Sequence, residues 1–169
     1  MANSLHDTYL TGLKNAHALE AQAIQLLSRQ LERIENYPDH AMMIRTHLAE
    51  SEAQQKRLEA ILERHGTSHS MLKDFMTSLS GNLAALAHAP MQDEILKNTF
   101  ANYAFEHFEI AAYRSLIALA EEAGDSQAIP LLRESLAEEE KTAEMIGAVI
   151  EKTTLEYARR EAAGQTAGI

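Results

Sequence analysis

Helix breakers are few in this chain, and their positions constrain what it can fold into. Between them, apolar residues recur at three- and four-residue steps over stretches of about thirty residues, the spacing of helices with one buried face. The first stretch runs from about Leu5 to Asn36, with Leu13, Ala16, Ile24, Leu27, Leu31 and Ile34 on its stripe. Tyr37-Pro38-Asp39 stops it, because proline disfavours helix at the residue before it. Asp39 is placed to cap the next helix. The second stretch runs from about His40 to His65, carries Met43, Ile44, Leu48, Leu58, Ile61 and Leu62, and ends at Gly66. The third runs from about Met91 to Ala123, with Ile95, Thr99, Phe100, Tyr103, Ile110, Tyr113, Leu116, Ile117 and Ala120 facing inward, and breaks at Gly124-Asp125. The fourth runs from about Ser126 to Arg160 and repeats Ile129, Leu132, Leu136, Ala143, Ile146 and Ile150 along a bundle seam. Residues 1–160 form one helical domain in this reading, and residues 161–169 a flexible tail.

Connection lengths then set the topology. The first two helices are tightly joined, and so are the last two, which makes each pair an antiparallel hairpin. The middle link, residues 66–90, is long enough to run the length of a bundle and start the third helix at the far end. Its Met71, Leu72, Phe75, Met76, Leu79, Leu83 and Leu86 suggest a short helix that covers the bundle or forms a dimer contact. The fold class is therefore all-α: a ferritin-like four-helix bundle, two antiparallel hairpins joined by a long crossover. Seven Gly and three Pro are too few for a many-stranded sandwich or barrel.

Composition removes several functions. A formal net charge of -10 does not recruit nucleic acid or anionic lipid. The absence of cysteine removes disulfides, thiolate metal sites and cysteine nucleophiles. No apolar run is long enough to span a membrane, and the residues after Met1 lack signal-peptide character, so a cytoplasmic location is expected.

Carboxylates interrupt the apolar stripes at matching heights. Glu20 falls on the stripe of the first helix, Glu50 with His47 and Gln54 on the second, Glu106 and Glu109 on the third, and Glu139 on the fourth. Glu20 precedes Glu50 by 30 residues, and Glu109 precedes Glu139 by 30. The order His-x-x-Glu occurs at His17–Glu20 and again at His47–Glu50, so the hairpins read as diverged copies with their acids at one level. Burying an unpartnered carboxylate costs several kcal/mol, and converging acids must be protonated or neutralised. Lys14, Arg45, Lys56, Arg57, Arg133 and Lys141 fall on flanking or outer positions. Two divalent metal ions would supply the missing charge. Hard oxygen donors with at most an imidazole suit iron or manganese better than copper or zinc, and iron is the first expectation.

The segments His47-Leu48-Ala49-Glu50-Ser51, Tyr103 through Tyr113 with Glu106 and Glu109, and Leu136 through Lys141 resemble those of the YciE/YciF family of ferritin-like proteins, from about Asp7 to Thr153. The resemblance implies a four-helix ferritin-like fold, a frequent dimeric state, a dinuclear carboxylate site and an association with bacterial stress responses. It brings no established reaction. The third helix, with Glu106-x-x-Glu109, also resembles rubrerythrin-type sites. One departure matters. Ferritin-like sites carry Glu-x-x-His on the second and fourth helices, whereas here Ala53 follows Glu50 and Thr142 follows Glu139 at that spacing.

The candidate metal ligands are thus Glu20, Glu50, Glu106, Glu109 and Glu139, with His47, His17, Gln54, Tyr113 and Glu140 as further ligands or supporting groups. Glu138 and Glu140 compete with Glu139 for the inward position. Two functions stay open. One is a dinuclear iron or manganese protein handling metal, or reacting with dioxygen or peroxide, under stress. The other is a non-catalytic bundle acting by dimerisation or partner binding, with a degenerate site. A homodimer is expected, without a ferritin cage.

Overall fold

The computed structural model describes residues 2–68, 72 and 91–169. Four helices account for nearly all of them: α1 Ala2–Arg33, α2 Pro38–Arg64, α3 Glu94–Ala123 and α4 Ala128–Ala162. The four expected long helices are present, with ends shifted by a few residues. The cap of α2 differs from expectation. Pro38 opens the helix and Tyr37 holds the cap position, so Asp39 lies inside the first turn. Proline suits that place because its missing N–H would have had no helical partner. Asp39 instead accepts from Lys152 Nζ of α4 at 2.7 Å. At the other hairpin Gly124 adopts φ 74°, the left-handed conformation that ends α3 and sends its N–H back to Ala120 and Glu121.

Side-chain pairings fix the directions of the helices. His17 of α1 meets Glu59 of α2, and Arg114 of α3 meets Glu140 of α4, as antiparallel hairpins require. Between hairpins, Gln30 pairs with Asn102 and Arg33 with Glu94, so α1 and α3 are also antiparallel. His40 with Thr153 and Gln54 with Glu138 show the same for α2 and α4. Hence α2 and α3 run parallel, and the chain between them must travel the length of the bundle. The short helix expected in that link, with Met71, Phe75, Met76, Leu79, Leu83 and Leu86, lies outside the described residues. Leu72 is described and is buried in the core.

The two halves of the bundle differ in character. Tyr9, Leu13, Leu58, Ile61, Leu62, Tyr113, Leu116, Ala120, Ala128 and Leu132 form one apolar core, all toward the end where α1 starts. Toward the opposite end the buried positions include Gln30, Thr99, Asn102 and Thr153, the last against half-buried His40. Gln30 and Asn102 exchange two hydrogen bonds of 3.0 and 2.9 Å, which satisfies both amides.

Two expectations about packing are corrected. Phe100 is 48% exposed, and Tyr103 is only partly buried, set beside Gly147 and edge-on to His107. The inward row of α3 is Ile95, Thr99, Asn102, Glu106, Glu109 and Tyr113, one position round from Phe100 and Tyr103. The segment after residue 160 is also not a free tail. α4 continues to Ala162, and Ala167 is buried. Gly168 accepts the N–H of Ile95, one of the donors that the start of α3 leaves without a helical partner. Tyr37 Oη donates to the Ala167 carbonyl, and Asn36 to that of Ile169.

No helix among the described residues is long and apolar enough to cross a membrane.

Candidate metal centre

Near the middle of the bundle, the inward positions of all four helices become acidic or polar together. His47, Glu106, Glu109 and Glu139 each bring one donor atom within 4.8 Å of the others, and all four residues are buried. His47 Nε2 lies 3.1 Å from Glu106 Oε1. Glu20, buried on α1, borders this group, and the charge of Glu139 acts on it. Its Oε1 accepts the hydroxyl proton of Tyr113, the carboxylate contact expected of that tyrosine.

The electrostatics are those of clustered buried acids faced by a single imidazole, that of His47. Burial first, and then the charge of Glu139, pushes the Glu20 carboxyl up to about 8, against the opposing Tyr113 hydrogen bond. Burial raises Glu106 to about 7. Burial together with contact to Glu106 raises Glu139 to about 9. Glu109 is raised well above the usual carboxylate range, mainly by burial and then by Glu20 and Glu139. Both carboxylate oxygens of Glu109 and both of Glu139 are buried without a hydrogen-bond partner, as are Glu20 Oε2 and Glu106 Oε2. Buried polar atoms are almost always satisfied, so six such oxygens in one place call for protons shared between the carboxyls, as raised pKa values allow, or for a bound cation. The nearby cations are engaged elsewhere: Arg57 with Glu134 and Glu138, and Lys141 with Glu50. The donor set is hard oxygen with one imidazole. It fits a divalent cation of the iron or manganese type.

The remaining candidates are distributed as follows. Glu50 stands outside the group of four. It is half-buried and accepts from Lys141 Nζ at 3.2 Å and Thr142 Oγ1 at 3.5 Å. The inward face of α2 reads His47, Ser51, Gln54, so Glu50 sits one step round the helix. Of the three consecutive acids on α4, Glu139 faces inward. Glu138 pairs with Arg57, and Glu140 is exposed beside Arg114, away from the centre. His17 is buried, but its Nε2 is engaged by Glu59 at 3.0 Å. Gln54 is buried and donates to Glu138, and its amide lies close enough to Glu139 to oppose part of that acid's rise. Ser51 and Thr142 were not singled out from the sequence. Both are buried beside the acids, and helical spacing from His47 and Glu139 would have found them.

Fold and cluster together define a ferritin-like four-helix bundle with a buried imidazole–carboxylate centre. The chain belongs to the family described as Domain of unknown function (DUF892), whose model matches residues 4–159. Protein YciF of Escherichia coli K12 is similar, 27% identical over 150 residues that span 82% of this chain and 86% of that one. This agrees with the YciE/YciF resemblance of the sequence segments. A solved Xanthomonas campestris protein aligns with TM-score 0.78 at 26% identity, covering 94% of this chain and 99% of its own. The E. coli stress protein YciF aligns with TM-score 0.69 at 22% identity, covering 86% and 94%, a likeness of fold.

Proposed function

We propose that the bundle is a divalent-metal protein holding two ions of iron or manganese, with Glu20, His47, Glu106, Glu109 and Glu139 as donors. The observation that supports this best is the set of buried, unpartnered oxygens on Glu109 and Glu139, contributed by two helices at one level. Such ions would supply electron exchange with dioxygen or peroxide, or a reserve of metal. The chain's own groups do the rest. Tyr113 holds Glu20 by its hydroxyl, which fixes the rotamer of that carboxylate. His47 presents Nε2 on the Glu106 side. Ile110 and Ile146, buried next along α3 and α4, keep the surroundings apolar and exclude water. A stress-related role is proposed on the likeness to the E. coli stress protein YciF. A cytoplasmic homodimer, without a cage, completes the reading, and solution mass tests it.

The decisive experiment is metal analysis of protein purified without chelator. The expected result is near two iron or manganese ions per chain, lost in the double variant Glu20→Ala, Glu109→Ala. One observation favours a second reading: Glu50 is paired with Lys141, so α2 offers the cluster an imidazole and no carboxylate. Sub-stoichiometric metal, with no thermal shift on adding iron(II) or manganese(II), would select a bundle that acts by assembly and carries a reduced site.

A further inference from the structure

The cluster is sealed on one side and approachable on the other. Toward the start of α1 it meets the continuous apolar core around Tyr9, Leu13, Leu58 and Leu116. Toward the opposite end lies a crevice walled by all four helices. Leu27, His40, Ile44, Thr99, Asn102 and Ile146 line it, and it reaches His47 of the cluster and its neighbour Thr142. A second crevice continues outward from this one. It shares His40, Ile44, Thr99 and Asn102 with the first and extends to Glu94, Asn98, Gly168 and Ile169. The two cavities therefore adjoin, with four residues common to their walls, and lie in series between the bundle end and an imidazole of the cluster. Apart from Glu94 at the outer mouth, which Arg33 engages, their lining alternates aliphatic side chains with hydroxyl, amide and imidazole groups. The Gln30–Asn102 pair and Thr99 Oγ1, which donates to the Ile95 carbonyl, are already satisfied. Inward of Glu94 such walls offer a passing ion no carboxylate trap before the cluster. The outer opening lies under residues 167–169, which are held by Tyr37, Asn36 and the Ile95 N–H.

We propose that divalent cations reach the cluster along this passage, with Thr99 at its junction and residues 167–169 as its stopper. This rests on the metal-binding reading above, and it concerns the route of entry. Thr99→Leu adds bulk at the junction and breaks no bond between helices. Gly168→Ala acts oppositely. Its Cβ would lie 2.6 Å from the Gln92 carbonyl oxygen, so the segment must shift off the opening. Lys141→Ala uncovers the side of the bundle at Glu50, the rival lateral route.

The test is stopped-flow uptake of cobalt(II) by the chelator-stripped full chain, followed by visible absorbance, with equilibrium stoichiometry measured separately. Thr99→Leu is expected to load about tenfold more slowly, a barrier raised by about 1.4 kcal/mol, and Gly168→Ala severalfold faster. Lys141→Ala is expected to load as wild type, and all four proteins should reach equal stoichiometry. Equal stoichiometry with equal rates throughout would overturn the passage alone. A rate changed only by Lys141→Ala would overturn it in favour of lateral entry. No cobalt taken up by wild type at equilibrium would remove the metal reading and the passage with it. Should Thr99→Leu fold poorly, the acceleration in Gly168→Ala decides the matter.

Discussion

Neutralising one acid of the cluster should stabilise the metal-free protein. Glu139 is fully buried, and neither of its oxygens has a partner. Its folded-state pKa of about 9 lies above the ordinary 4.5, so the protonated form favours the fold. The stability available below about pH 4.5 is therefore lost progressively as pH rises toward 9. At pH 7 the folded protein must keep protonated a group that the unfolded chain ionises. The cost is 2.5 pH units above the ordinary value, about 3 kcal/mol at 1.36 kcal/mol per unit. Any folded-state value above 7 gives the same figure. Glu139→Gln removes that cost with nearly the same volume and should raise the midpoint of thermal unfolding by roughly 6–12 °C. At about pH 5 the gain should shrink below about 1 kcal/mol. The assay is calorimetry of chelator-treated wild type and variant at both pH values, repeated with manganese(II). The metal should raise the midpoint of wild type and leave the variant unchanged. A metal-free variant no more stable than wild type at pH 7 would refute the reasoning, because the carboxylate would then be solvated or paired.

Three further outcomes are expected. Tyr113→Phe removes the one hydrogen-bond donor to Glu20 seen among the described residues and should weaken metal binding about 10–100-fold by titration calorimetry, with helix content unchanged. Asp125 ties the α3–α4 turn to Tyr9 and His65, and these bonds outweigh burial and hold its carboxyl below the ordinary range. Its contribution is present at neutral pH and lost as pH falls through that lowered value, so Asp125→Asn should cost about 1–3 kcal/mol in urea unfolding at pH 7 and flatten the acid dependence. Gln30→Leu alone orphans Asn102 and should cost about 1–3 kcal/mol, while Gln30→Leu with Asn102→Leu should cost much less, as a double-mutant cycle in urea would show.

The architecture was legible because it follows from coarse quantities. Apolar spacing located the four helices, and the long link between the hairpins left room for the observed parallel run of α2 and α3. The inward direction of Glu20, Glu109 and Glu139 was legible for a related reason: each has close apolar anchors on its own helix, such as Ile110 beside Glu109 and Ala143 beside Glu139. The phase of α2 was not. Between Ile44 and Leu58 its buried positions are His47, Ser51 and Gln54, all polar, so hydrophobicity cannot say which polar residues turn in. A glutamate and a serine in succession could exchange places there, and Ser51 took the inward one. Phe100 was misplaced by the opposite error, since its size suggests burial although the adjacent Thr99 holds the interior position. The ordering of residues 167–169 depends on unpaired donors at the start of α3, a contact between distant parts of the chain that no local pattern encodes.

Ownership of the cluster is divided between the hairpins. α1 and α2 contribute Glu20 and His47, while α3 and α4 contribute Glu106, Glu109 and Glu139. An ion lodged among them would therefore act as a rivet across the seam between two separately closed units, leaving the helix pairing inside each unit unaided. Stripping the ion would loosen that seam first, so metal starvation would be felt as parting of the halves and as exposure of their greasy inner faces to proteases.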